Sequence, residues 1–216
     1  MKRPLGLVFD LDGTLLDTLA SLADAFNQAL QVMGHTPHPV EDFRQIIGDG
    51  ARTAVCRALP SNSQNDQEIE QCLSLFREAY DQSWQEATVY AGIPDLLDQL
   101  APDIPLAVLS NKDDIFTRQC VDYFFPDRFR LAIGASASIR HKPDPSGAVH
   151  IAEQLDVEVD QLWMIGDTPT DMQTARQNGM KGIAVLWGFR GRDELANHGA
   201  NHIIVAPEDL LQLLAH

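Results

Sequence analysis

Short apolar runs alternate with segments of helical spacing along most of this chain, and the alternation is interrupted once. Leu5 to Phe9 (LGLVF) is apolar and stops at Asp10, the pattern of a buried parallel strand with polar residues at its carboxyl end. From Thr18 to Met33 the period changes. Leu19, Leu22, Ala23, Phe26, Ala29, Leu30 and Met33 recur at helical spacing, and Gly34 stands where a helix would end. Pro37 and Pro39 mark a loop. The stretch from Glu41 to Ile47 is a short helix candidate, Gly48-Asp49-Gly50 breaks it, and Ala51 to Leu59 reads as helix again. Residues 60–66 (PSNSQND) are a turn-rich polar loop. From Gln67 to Gln85 one stripe carries Ile69, Cys72, Leu73, Phe76, Tyr80 and Trp84, which predicts a long helix.

Beyond residue 90 helices and strands alternate. Predicted helices cover 94–100, 114–124, 146–155, 170–178 and 207–214. Predicted strands cover 105–109, 131–133, 162–165, 181–186 and 202–205. That alternation argues for an α/β fold with a parallel sheet. The helical stretch from about 18 to 85 follows the first strand directly, so the simplest reading is a helical insert over an α/β core. No internal repeat or low-complexity tract is evident.

Composition narrows the partners. Among 216 residues, 16 Lys and Arg stand against 31 Asp and Glu, a formal charge of −15. This argues against a nucleic-acid binder, whose phosphate contacts need clustered Lys and Arg, and against docking on anionic lipid. Cys56, Cys72 and Cys120 are widely spaced, with no CxxC and no Cys/His metal spacing. They read as buried thiols in a reducing compartment. Asp10 interrupts the first apolar run too early for a signal peptide, and no apolar stretch is long enough to span a membrane. The expected location is the cytoplasm. His35, His38, His198 and His216 show no ligand spacing and read as surface residues.

In open parallel sheets ligands bind beyond the carboxyl ends of the strands, so the polar residues there matter most. The first strand ends in Asp10-Leu11-Asp12-Gly13-Thr14, the next core strand in Ser110-Asn111-Lys112, and a later one in Gly166-Asp167-Thr168, with Asp171 shortly after. A loop adds His141-Lys142-Pro143. If these strands are neighbours, the carboxylates converge, and such crowding is costly without a cation. Mg²⁺ prefers oxygen ligands and keeps positions for water and phosphate. A lysine beside it supplies fixed positive charge, and a carboxylate can act as a nucleophile toward phosphorus. The set suits phosphoryl transfer better than glycoside cleavage, where two carboxylates suffice.

FDLDGTLLDT (Phe9 to Thr18) resembles the first motif of the haloacid dehalogenase-like superfamily. Ser110, Lys142 and the segment from Gly166 to Asp171 resemble its second, third and fourth motifs in order. The resemblance covers essentially the whole chain. It implies a Rossmann-like parallel sheet with helices on both faces, spanning 1–16 and 88–216, and a small all-helical cap over 17–87. The phosphoglycolate phosphatase-like branch is the most similar one. Gly48-Asp49-Gly50-Ala51-Arg52 resembles its cap loop, and Trp187-Gly188-Phe189-Arg190-Gly191 its loop after the fifth strand. One departure is Gly147, where that branch commonly has proline. A looser helix start is expected there, with Lys142 unaffected.

The resemblance also implies roles. Asp10 would be the nucleophile and a Mg²⁺ ligand. Asp12 would be the acid and base, with its backbone carbonyl on the metal, and Asp167 would be the third ligand. Lys142 would bridge nucleophile and phosphate. Ser110 and the backbone amide of Asn111 would bind phosphoryl oxygens, and Gly13 would permit the turn. Thr14 is expected to order the motif loop and to belong to the substrate-binding set. Asp171 would act at one remove, by orienting Lys142 or through water. Arg52 would meet the distal end of the substrate, with Arg190 and Arg192 as further positive groups, and Asp17 would face the cap opening. The implied activity is a Mg²⁺-dependent phosphatase acting on a small phosphorylated metabolite, most similar to phosphoglycolate phosphatase. The alternatives are a β-phosphoglucomutase-like mutase, a pyrophosphatase or nucleotidase and, last, a non-catalytic binding protein. A cap that opens in each turnover fits a monomer, and a dimer is the alternative.

Overall fold

The computed structural model of the chain describes residues 3–215. Six parallel strands form the central sheet: β1 (Gly6–Phe9), β4 (Leu106–Asp113), β5 (Leu131–Ala135), β6 (Leu162–Gly166), β7 (Lys181–Val185) and β8 (His202–Ile204). Their order is β5-β4-β1-β6-β7-β8, so the first strand lies mid-sheet between β4 and β6. All four residues of β1 are buried, as its uninterrupted apolar run requires. Phe9 pairs with Val108 on one side and Ile165 on the other, which sets Asp10 level with the ends of both neighbours.

Helices cover both faces. One apolar cluster joins Leu7, Phe9, Val108 and Ile165 to Leu96 and Leu97 of α5 (Ile93–Leu100) and to Val121 of α6 (Asp114–Phe124). The opposite cluster joins Val8, Ala107 and Met164 to Ala148 and Ile151 of α7 (Ser146–Leu155) and Ala175 of α8 (Pro169–Gln177). The α/β expectation therefore holds. Gly147 does not loosen the start of α7. It is buried, and an added Cβ would lie 2.5 Å from Leu109 Cδ1, so the missing side chain lets the helix approach β4.

The helical insert has its own apolar interior. It consists of α1 (Leu19–Val32), α2 (Phe43–Ile46), α3 (Ala51–Ala58) and α4 (Asp66–Asp81), packed mainly through α1 against α4. Phe26 stacks on Phe76 at 3.9 Å between ring centroids and on Phe43 at 5.8 Å. The chain leaves and re-enters through an unpredicted antiparallel ribbon, β2 (Leu16–Asp17) with β3 (Thr88–Val89). Its strands are too short to show a period. Asp17 lies there, exposed, its carboxylate accepting from the Leu19 amide.

Several other expectations are corrected. Helix α4 ends at Asp81, and Trp84 belongs to a separate turn that packs on Tyr123 and Phe124. Strand β4 runs on through Ser110, Asn111 and Lys112, with a register shift against β5 after Leu109. The short helix α9 (Arg192–Asn197) carries too few apolar residues to be legible. Cys72 and Cys120 are buried, and burial pushes both thiols up to about 11, which makes them unreactive. Cys56 is only half-buried, and all three thiols are free. His38 is not a simple surface residue, since its Nε2 lies 2.8 Å from the Ala58 carbonyl and ties the loop to α3. His35 and His198 are half-buried, the latter with its ring on the Glu194 carbonyl, and His216 lies outside the described residues. Among the described residues no helix is long and apolar enough to cross a membrane.

The aromatic stack is the mainstay of the insert. Phe26→Ala is expected to cost about 3–5 kcal/mol, the usual range for emptying a buried phenylalanine site. Denaturant unfolding of wild type and variant measures it, and a loss below about 1 kcal/mol would show that the stack is not what holds the insert together.

Candidate active site

The turn after β1 is made by its sequence. Leu15 and Leu16 amides both return to the Leu11 carbonyl, and the Gly13 amide donates to the Leu16 carbonyl at 2.8 Å. Gly13 takes φ +85°, and a Cβ there would fall 2.3 Å from Asp167 Oδ2, so only glycine fits. Gly188 closes the other side, where a Cβ would meet the Gly13 carbonyl at 2.3 Å and Asp167 at 2.4 Å. The two loops thus enclose Asp167 from both flanks. Trp187 Nε1 donates to the Thr14 carbonyl and locks them together.

Three carboxylates, two just beyond the adjacent strands β1 and β6 and one from the first turn of α8, meet in this frame. One oxygen from each of Asp10, Asp167 and Asp171 lies within 4.8 Å of the others, and all three residues are buried. Lys142 Nζ stands 2.8 Å from Asp10 Oδ1 and 2.6 Å from Asp171 Oδ1. Asp171 Oδ2 accepts from Thr168 N and Oγ1, so the residue caps α8 and positions Lys142 at once. Asp167 takes the Thr14 hydroxyl on one oxygen and the Phe189 amide on the other. Asn111 holds the Lys142 segment, its Oδ1 accepting from the Lys142 amide at 2.6 Å and its Nδ2 donating to the Lys142 carbonyl.

The electrostatics are those of an excess of negative charge in a dry place. Burial, then the charge of Asp171, pushes the Asp10 carboxyl up to about 7 against the pull of Lys142. Asp167 is driven well upward by burial and by both neighbouring carboxylates. Burial disfavours the Lys142 charge, yet Asp10 and Asp171 outweigh it and hold the ammonium above its ordinary range. Counting Asp12, four carboxylates face two ammonium groups, Lys142 and Lys112. The surplus of two negative charges and the all-oxygen donor set fit a hard divalent cation.

Most predicted residues converge here. Asp10, Asp12, Ser110, Asn111 and Lys142 lie together, with Asp167 and Asp171 beside them. The placements of Thr14 and Arg52 are corrected. Thr14 is fully buried with its hydroxyl on Asp167, so it orients that carboxylate and offers nothing to a substrate. The Asp12 carboxylate is not one of the triad and is held at both oxygens, 2.8 and 2.9 Å, by Lys112 Nζ. Arg52 is an exposed residue of α3 paired with Asp66 and Glu70, both on α4, and does not line the chamber above Asp10. Arg190 is buried at the junction between insert and sheet, donating to the Ile47 carbonyl, and Arg192 is exposed. Neither reaches the chamber. Sequence reasoning missed Lys112, Thr168 and Asp49. Lys112 follows Ser110-Asn111 directly, but its partner is a hundred residues away and leaves no local signal. Asp49 accepts from Thr170 at 2.6 Å and pairs with Arg57. Burial would raise its carboxyl, and those two partners together hold it below the usual range.

A family model of haloacid dehalogenase-like hydrolases matches residues 7–185. Phosphoglycolate phosphatase 1 of Pseudomonas aeruginosa is 32% identical over 216 residues, covering 97% of this chain and 79% of that protein. Phosphoglycolate phosphatase of Pseudomonas fluorescens strain Pf-5 is 33% identical over 204 residues, covering 92% and 72%. A crystal structure from Lactobacillus delbrueckii subsp. bulgaricus, of a candidate phosphoglycolate phosphatase, superposes with a TM-score of 0.92 at 32% identity over 98% of both chains. A haloacid dehalogenase-like family hydrolase from Streptococcus pneumoniae gives 0.90 at 25% identity over 99% of both.

The raised Asp10 carboxyl has a consequence for stability. Between pH 3.8, its ordinary value, and about 7, the folded protein holds a proton that the unfolded chain releases. The stabilisation is therefore complete below the unfolded value and is lost as pH rises through the folded one. Without divalent cation, the Tm of the wild type is expected to fall from about pH 5 to about pH 8. Asp10→Asn should make that fall shallower and raise the Tm at the upper end. Thermal melts in chelator check this, and parallel slopes in both proteins would count against it.

Proposed function

The chain belongs to the haloacid dehalogenase-like hydrolase family, and on that premise we propose that it is a Mg²⁺-dependent phosphatase working through a phosphorylated Asp10. Its substrate is a small phosphomonoester, and the relatives named phosphoglycolate phosphatase point to phosphoglycolate. The observation that carries this reading is the contact of Asp10 with Lys142 at 2.8 Å, beside two further carboxylates and at the floor of a chamber.

The residues that would hold Mg²⁺ are Asp10, Asp167 and the backbone carbonyl of Asp12, with Asp171 close by. Bound there, the ion neutralises carboxylates and phosphate together and draws charge from phosphorus. Lys142 keeps the Asp10 carboxylate and an incoming phosphoryl oxygen side by side. Ser110 and the Asn111 amide receive the other oxygens. The Asp10 carboxylate attacks phosphorus as the bond to the leaving oxygen breaks, and Asp12 gives that oxygen its proton. Water then attacks the phosphorylated Asp10, Asp12 takes its proton, and phosphate departs.

Residues 17–87 serve as the cap. Their apolar interior takes in Phe116 and Phe189 from outside the insert, and the ribbon of Leu16–Asp17 with Thr88–Val89 is their tether. Closure excludes bulk water while the ester is cleaved. A cytoplasmic setting accords with three free thiols, and a small soluble metabolite accords with the charge of −15.

Phosphate release from a panel of phosphoglycolate, sugar phosphates, nucleotides and pyrophosphate, with and without Mg²⁺, tests the proposal. Mg²⁺-dependent release that peaks on phosphoglycolate is expected. Asp10→Asn should lower turnover by at least about 10⁴-fold with the fold intact, since a nucleophile has no substitute. Comparable turnover in that variant would sink the assignment. An isomerised sugar phosphate in place of free phosphate would make the protein a mutase.

A further inference from the structure

The chamber over Asp10 is walled mostly by apolar side chains of the helical insert: Leu22, Phe26, Ala51, Ala54 and Phe76, with Ile47 at the edge. Among the described residues lining it, the only cation is Lys112. Of the other described lysines, Lys142 is committed to Asp10 and Asp171, and Lys181 lies over the Trp163 ring. Residues 17–87 contain no lysine, and each of their arginines is engaged: Arg44 with Glu41, Arg52 with Asp66 and Glu70, Arg57 with Asp49, and Arg77 with Asp113. A leaving group that reaches into this chamber meets apolar surface, Asp12 and Asp113, and one ammonium.

Lys112 is built into the place. It stands two residues beyond Ser110, on the extension of β4, and its side chain is 5% exposed. Burial disfavours its charge, but Asp12 and Tyr80 keep the ammonium above its ordinary range. The same Nζ lies 4.6 Å from the centroid of the Tyr80 ring, a residue of α4 in the insert. Tyr80 is fully buried and lines the chamber, and its hydroxyl has no hydrogen-bond partner of normal geometry. An unpartnered buried hydroxyl is costly unless something else satisfies it. An ammonium and an unsatisfied O–H, both on residues lining a mostly apolar chamber, are the donors that a single carboxylate needs.

We infer that Lys112 and the Tyr80 hydroxyl form the recognition site for a carboxylate on the leaving group. The inference rests on the phosphatase reading above and deepens it by naming the residues that select the substrate. They admit a compact phosphorylated hydroxy acid, whose carboxylate meets the ammonium as its phosphate reaches Asp10 and Lys142. A leaving group carrying a second phosphate finds one ammonium where it needs several donors. Because Tyr80 belongs to the insert and Lys112 to the sheet, the site is complete only when the two are together.

The test compares two esters of similar size that differ in one carboxylate, phosphoglycolate and ethyl phosphate, with the full chain and Mg²⁺. The readout is the ratio of kcat/KM for the first to that for the second, which cancels any effect of Lys112 on Asp12. Lys112→Met is expected to lower the ratio on the order of 10- to 100-fold, the worth of one charge-assisted hydrogen bond. Lys112→Arg should restore part of it. Tyr80→Phe, which removes only the hydroxyl, should lower it by roughly 3- to 10-fold and decides the matter if Lys112→Met does not fold. An unchanged ratio, whatever happens to the absolute rates, overturns the inference. If the wild type releases phosphate from neither ester, nor from any of the panel above, the phosphatase reading itself fails.

Discussion

Like charges forced together in a dry place govern this structure. Parallel pairing of β1 with β6 brings Asp10 and Asp167 to one level of the sheet, and the first turn of α8 adds Asp171. Nothing in the apolar layers above and below relieves that crowding. Lys142 does so from the side, between Asp10 and Asp171. Both Asp167 oxygens and the second oxygen of Asp171 are held by the Thr14 hydroxyl, the Phe189 amide and Thr168. Every contact of this kind fixes a backbone segment, so the site is rigid because its charges must be satisfied. The close fit of Gly13 and Gly188 around Asp167 follows from the same need.

The helical insert is joined to the sheet in a different way. Its interior is apolar and aromatic and shares Phe116 and Phe189 with the rest of the chain, while its junction also carries a set of polar contacts. Asn111 donates to the Gly48 carbonyl, Arg44 to the Gly188 carbonyl and Arg190 to the Ile47 carbonyl. Thr170 donates to Asp49, and Arg77 pairs with Asp113. Such contacts exchange with water at small net cost, while a stacked aromatic core does not. The proposed carboxylate site belongs to the meeting of Tyr80 with Lys112, which either half lacks alone.

The sequence by itself determined the sheet, the helical interruption and the chemistry at the strand ends. Buried parallel strands must be apolar runs, and the residues that end them must be those the site requires. Hence Asp10, Asp167 and Lys142 were legible one by one, each beside a strand or a turn with its own local signature. Elements with no period of their own were not legible: the ribbon of β2 with β3, the helix at Arg192, and the continuation of β4 past Ser110. Only the tertiary structure decided the partners. Thr14 looks like a group offered to substrate until Asp167, 153 residues on, takes its hydroxyl. Arg52 looks like an anion site until α4 supplies Asp66 and Glu70. Lys112 is one lysine in a polar run until it is found against Asp12 and Tyr80. Periodicity reports which side of an element is buried, because burial is a property of each residue. A hydrogen bond or ion pair is a property of two residues, and their separation in space is set by the fold.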